Sequence, residues 1–198
     1  LWRVNKPLPS DYKEHEDKEQ SKYAEYKTLE HEISLSMRYN YEKIMLNAGL
    51  SFLPQHTELS YRKNQLDTVV KRNVLNFSPN VNLRIRFSKM SNLMFTYRGS
   101  NSQPSMENLL PIKDNANPLN VQVGNPGLKP SFNHNMFANF FDYQVESQRN
   151  IMANAGFTLR QNAITSIRTY NEKTGGWTNT SDNINGNWSA NAGFGYNT

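Results

Sequence analysis

A chain of 198 residues without cysteine is long enough for one large or two small domains and excludes a disulfide framework or a thiolate metal centre. Aromatics make up 12% of it, although only 36% is hydrophobic and the mean hydropathy is -0.78; disordered chains are poor in aromatics, so this composition predicts order with an extensive polar surface. The formal charge of +5 is spread along the chain instead of gathered into a stripe, which argues against nucleic acid as a partner, and no apolar run approaches the roughly 20 residues that a membrane helix needs.

Taken in chain order, the start at Leu1 shows neither the basic segment nor the apolar run of a secretory leader, as expected of a processed chain or a piece of a longer one. Residues 11–32, "DYKEHEDKEQSKYAEYKTLEHE", mix both signs of charge. Tyr23, Tyr26, Leu29 and Ile33 fall near helical spacing, but mixed charge favours a solvated surface, and residues 1–29 are read as a charged exposed loop leading into a strand. Beyond Glu30 the period becomes two. Ile33, Leu35, Met37 and Tyr39 alternate with polar residues, and after "NYEK" the set Ile44, Leu46, Ala48, Leu50 and Phe52 continues in the opposite parity, which makes a hairpin. Leu75, Phe77, Val81, Leu83, Ile85 and Phe87 then keep one phase, predicting a long strand with a bulge at Pro79, since proline removes a ladder donor. Further strands are expected near 92–99, 133–146, 150–171 and 177–196, about seven in all counting 30–39, 44–61 and 68–87, each pairing antiparallel with its neighbour in sequence.

Short connections at 40–43, 88–91 and 147–149 alternate with longer or Gly/Pro-rich ones at 62–67, 99–131 and 172–176. An all-β, antiparallel up-and-down meander with short turns at one end and long loops at the other is the pattern of a transmembrane β-barrel wall. Tyr39, Tyr41, Phe87, Phe141, Tyr143 and Tyr196 lie near the short-turn end, where an aromatic girdle is expected.

The segments "YEKIMLNAGL", "NFSPNVNLRIRFSKMSNLMFTYRG", "QPSMENLLPIKDNANPLNVQVGNPGLKPSF" and "NAITSIRTYNEKTGG" resemble the outer-membrane β-barrel family related to TonB-dependent receptors. The most specific stretch holds Pro104, Leu110, Pro111, Asn117-Pro118, Gly124-Asn125-Pro126 and Leu128-Lys129-Pro130. The resemblance implies that this stretch returns to the wall from outside the membrane, so that its prolines stiffen a path needing no ladder partner. It also implies that 1–29 is external and 30–198 part of a barrel, and that the location is the bacterial outer membrane. The implied partners are membrane lipid, the remaining barrel and plug, and an energy-transducing TonB-type complex. No plug or closing strand is read in the chain, so a barrel-wall portion of a nutrient receptor or transporter is expected. The alternative is a soluble all-β module that binds glycans or proteins.

Enzyme chemistry is not expected. Ser10 to Lys13, Ser60 to Lys63, Lys173-Thr174-Gly175 and Ser181-Asp182-Asn183 spell the motifs of penicillin-binding enzymes, but Lys-Thr-Gly precedes Ser-Asp-Asn and the two nearly touch. His15, His31, His56 and His134 show no metal-ligand spacing, and no cofactor motif occurs. What remains is recognition by loops carried on a rigid wall. Tyr97, Arg98, Gln103, Asn115, Asn171 and Trp177 offer the aromatics and amides suited to a polar ligand such as a glycan or peptide.

Overall fold

A computed structural model describes residues 22–63, 66–110, 113–114 and 117–198. In chain order the strands are β1 (Lys22–Glu30), β2 (Ile33–Tyr41), β3 (Ile44–Lys63), β4 (Leu66–Ser88) and β5 (Ser91–Ser102). A helical turn α1 (Met106–Leu109) follows, then β6 (Lys113–Asp114), β7 (Asn120–Val123), β8 (Ser131–Gln144), β9 (Arg149–Gln161), β10 (Ala163–Asn171), β11 (Gly176–Ile184) and β12 (Asn187–Asn197). The main sheet has eight strands in the order β1-β3-β4-β5-β8-β9-β12, with β2 also on β3, and every pair in it is antiparallel. Within the described residues it is open, with β1 and β2 end to end forming one edge and β12 the other.

Following the register across the sheet separates an apolar from a polar face, with Asp142 on the first and Met45, Met94, Phe137 and Met152 on the second as departures. On one face lie Ile33, Leu35 and Met37 of β2, Leu46, Ala48 and Leu50 of β3, Val81, Leu83 and Ile85 of β4, and Leu93 and Phe95 of β5. The same face continues through Met136, Ala138 and Phe140 of β8, Ile151, Ala153 and Phe157 of β9, and Trp188, Phe194 and Tyr196 of β12. The opposite face carries Ser34, Arg38, Asn47, Asn82, Arg84, Arg86, Arg98, Asn135, Asn154, Arg160 and Asn191. It is knitted by cross-strand bonds such as Arg38 Nε to Asn47 Oδ1 (2.8 Å) and Arg160 Nε to Asn133 Oδ1 (2.6 Å). Gly49, Gly156 and Gly193 oppose Asn80, Asn191 and Asn154, whose amides lie where a Cβ would stand.

Among the described residues no element covers the apolar face: Leu35 is 68% and Phe194 74% exposed. Each such side chain gains about 1.5–3 kcal/mol on leaving water, so a continuous apolar face of this extent calls for lipid, and the asparagine- and arginine-lined face calls for an aqueous lumen. The nine residues of β2 match the ~9–11 that a tilted strand uses to cross a bilayer.

Beyond the wall the polarity inverts. Past Pro54 in β3, the strand positions in line with the apolar face become His56, Glu58, Ser60 and Arg62, while those in line with the lumen become Thr57, Leu59 and Tyr61. In β4 the corresponding outward residues are Asn73, Lys71, Val69 and Asp67, polar but for Val69, and Val70 joins the inward set. Glu58 pairs with Lys71 (3.1 Å) and Arg62 with Asp67 (2.9 Å) on the solvent side. Pro54 also explains why β1 and β2 are two strands on one register. It accepts from His31 N (3.1 Å) but has no N–H to return, and the ladder lapses there between Glu30↔Gln55 and Ile33↔Phe52.

Four expectations change. Residues 22–29 of the segment expected to be a charged loop form β1 together with Glu30, because β3 extends far enough outward to template it; residues 1–21 lie outside the described residues. Pro79 causes no bulge. Arg86 N donates to Lys43 O (2.8 Å), so even-numbered residues of β4 face β3 and Pro79 faces β5, where the ladder has already ended at Asn80↔Arg98; the irregularity falls at Phe87 instead. The strands expected at 150–171 and 177–196 are each broken, at Asn162 (φ 49°) and Gly186 (φ +89°), both in the left-handed region. Asn162 N donates to Asn185 Oδ1 (2.8 Å) at this level, and β10–β11 continue the hairpin of β9 and β12 in the same register but in a second sheet, β10-β11-β7-β6. Finally, Phe141 and Tyr143 face the lumen side. Phe140, edge-on to Phe87 at 6.2 Å between centroids, takes their place in the girdle with Tyr39, Tyr41 and Tyr196.

Candidate functional site

The segment between β5 and β8 folds over the lumen-side face of the β3–β4 extension. Ser105 caps α1, its Oγ accepting from Asn108 N at 3.3 Å, and Leu110 N closes the turn on Glu107 O. This presents Met106 and Leu109 to Leu59; with Leu110 and Leu128 they form a buried cluster against Tyr61, Val70 and Ile164. Arg72, on the same side as Val70, donates from Nη2 to Leu128 O (3.1 Å), and burial lowers its pKa. Gln103 Nε2 donates to Asn76 Oδ1, and Asn76 Nδ2 to Gln55 Oε1 (3.1 Å).

The far half of the segment is held by amides. Asn125 N donates to Asn108 O (2.6 Å) and its Nδ2 to Ser181 O (3.0 Å), while β7 pairs with β11 in parallel. Asn183 Oδ1 accepts from Lys129 N (2.7 Å), and its Nδ2 donates to Lys129 O (3.0 Å) and Asn162 O (2.8 Å). The expected hydrogen-bond-poor path is therefore a bonded roof; the prolines shape it, and side-chain amides supply the partners. Asn183→Ala removes three bonds at once, leaves the Lys129 backbone groups unanswered, and is expected to cost about 1–3 kcal/mol locally. Hydrogen exchange should accelerate across residues 117–130 while the wall stays protected.

Between roof and extension lies a recess of about 470 Å³, lined by Tyr26, Leu59, Tyr61, Gln103, Met106 and Glu107 among others. Its walls are apolar with two phenols, a carboxylate and an amide, and Gln103 Oε1 is buried without a partner. Such a site takes an amphipathic group that brings a hydrogen-bond donor.

The six residues singled out from sequence do not converge. Gln103 reaches this recess. Arg98 stands on the lumen face between Asn80 and Asn135. Tyr97 is on the apolar face, its hydroxyl 3.0 Å from His134 Nδ1. Asn171 organises the β10–β11 turn, its Oδ1 accepting from Lys173 N (3.0 Å). Trp177 packs on Tyr170 (5.0 Å) under Arg168 (4.8 Å) at the same tip, and Asn115 lies outside the described residues. The residues that sequence reasoning missed are Tyr26, Tyr61 and Glu107; the inversion of polarity past Pro54 was the available signal for Tyr61, and Tyr26 follows only from the pairing of β1 with β3.

Residues 9–198 match the profile of the outer membrane protein beta-barrel family. The chain belongs to that family. Membership places this wall in the bacterial outer membrane and agrees with the lipid and lumen faces read from its register. No curated protein matches the chain. Among solved structures it is similar to the siderophore receptor PirA from Acinetobacter baumannii, with 14% sequence identity and a TM-score of 0.44 over 86% of this chain and 34% of that one. The chain thus spans about a third of that receptor's length.

Proposed function

We propose that this outer-membrane β-barrel chain is the wall and part of the mouth of a nutrient receptor or transporter related to TonB-dependent receptors, and that it binds a polar ligand, a glycan or peptide, on the lumen side of its roof. The observation that carries the reading is the inward fold of the segment between β5 and β8. It packs over the lumen-side face of the extension, not the outward one, and leaves a recess there that holds Gln103. Loops that bind for uptake must stand over the pore, and loops that serve adhesion need not. In this reading the remaining barrel, a plug and a TonB-type energy-transducing complex complete the transporter, and the chain itself catalyses nothing.

The test replaces residues 104–128 by a short Gly-Ser linker in the intact outer-membrane protein. Calorimetry against a panel of oligosaccharides and peptides should show lost binding, and uptake of whichever member binds should fall with it, while the protein still reaches the membrane. Unchanged affinity and uptake would refute the assignment.

A further inference from the structure

A second recess, of about 450 Å³, opens on the other side of the wall. Phe77, Tyr97, Phe132 and His134 belong to the apolar face by register; Phe77 and Phe132 lie where the wall ends, at the end opposite the short turns, with His134 and then Tyr97 next below Phe132. The aromatics are built as a unit. Phe132, buried, stacks on Phe77 at 4.7 Å and meets His134 edge-on at 4.6 Å. Its ring fills the space above Gly99, where a Cβ would come within 2.7 Å of it. In a barrel whose short turns face the periplasm, this is the level of the outer-leaflet headgroups.

The chemistry of the recess differs from that of the apolar face below it. Lys129 brings a cation, Asn101, Gln161 and Asn162 bring amides, and no carboxylate of the described residues lines it. His134 Nε2 is buried without a hydrogen-bond partner among the described residues, while its Nδ1 lies 3.0 Å from the Tyr97 hydroxyl, so the recess holds an unanswered polar atom. Donors and one positive charge above aromatic rings, continuous with the lipid-facing surface, fit an anion attached to acyl chains.

We infer that this recess seats the phosphate-bearing headgroup of an outer-leaflet glycolipid, with Lys129 contacting the phosphate and the amides contacting the sugar. The Lys129 backbone is already fixed by Asn183, so the side chain is free to be substituted without disturbing the roof.

The full chain, extracted from outer membranes in mild detergent, would be examined by native mass spectrometry for retained lipid A, with added dephosphorylated lipid A and inorganic phosphate as separate arms. Wild type and Lys129→Arg should retain the phosphorylated glycolipid. Lys129→Glu should retain about fivefold less or lower, and Lys89→Glu, at the short-turn end, should match wild type. Equal retention by wild type and Lys129→Glu, or equal retention of the dephosphorylated lipid, would overturn the inference. So would displacement of the lipid by inorganic phosphate at millimolar concentration, which would mark a bare anion site.

Discussion

Val81→Arg is expected to destabilise the folded protein in phospholipid vesicles by about 2–4 kcal/mol, whereas Asn82→Arg, one residue away, should be close to neutral. Val81 lies in a row with Ala48, Tyr97, Met136, Phe157 and Ala190 on the face that meets lipid, about midway between Leu75 and Phe87. A guanidinium there would have to leave water or drag water into hydrocarbon. Asn82 lies in the row of Asn47, Thr96 and Asn191, on the face that already holds Arg84 and Arg98. Urea unfolding from vesicles measures both variants. Similar losses at the two positions would mean that the assignment of faces is wrong.

The second large effect is expected at Gly124. A Cβ built there falls on the carbonyl oxygen of Leu110 and comes within 3.2 Å of Asn108 O, both backbone atoms of the capped turn. Backbone cannot swing aside as a side chain can, so Gly124→Val must push the two halves of the roof apart and break the bond from Asn125 N to Asn108 O. Overpacking of this kind costs about 1–3 kcal/mol, and here it acts on the segment that carries Met106, Leu109 and Leu110 into their cluster. Hydrogen exchange should rise throughout residues 103–130, and ligand binding should weaken without loss of the wall. Gly49→Ala is the control: its Cβ meets only the amide end of Asn80, which can turn away, and little change is expected.

The wall was legible wherever apolar and polar residues keep the period of two. Each strand buries one face in lipid and wets the other, so parity alone assigns Leu83 and Arg84 correctly. It became illegible where two adjacent residues suit the same face. Phe140 and Phe141 are both aromatic, and only their partners, Leu93 and Asn92, decide which one meets lipid. Pro79 misled for a related reason: a missing donor matters only on the side where a ladder exists. Strand β1 was hidden because its outward row mixes kinds, the charged Glu25 and Lys27 standing between Tyr23 and Leu29, which erases the alternation that marks a wall strand. The roof was the least readable element. Its clamps join Asn125 to Ser181 and Asn183 to Lys129, across more than fifty residues, and a lone asparagine in a loop carries no mark of its distant partner. The same distance scattered the proposed binding residues, leaving Gln103 alone at the recess.

The inversion at Pro54 works as a waterline. Above it the outward side chains of the β3–β4 hairpin are an ion pair, Glu58 with Lys71, and below it they are Phe52 and Phe77. Were the hairpin to sink by one turn of its pleat, His56 and Asn73 would enter hydrocarbon; were it to rise as far, both phenylalanines would leave it. One strand pair therefore fixes how deeply the whole sheet floats, and with it the height at which the recess under the roof stands above the bilayer.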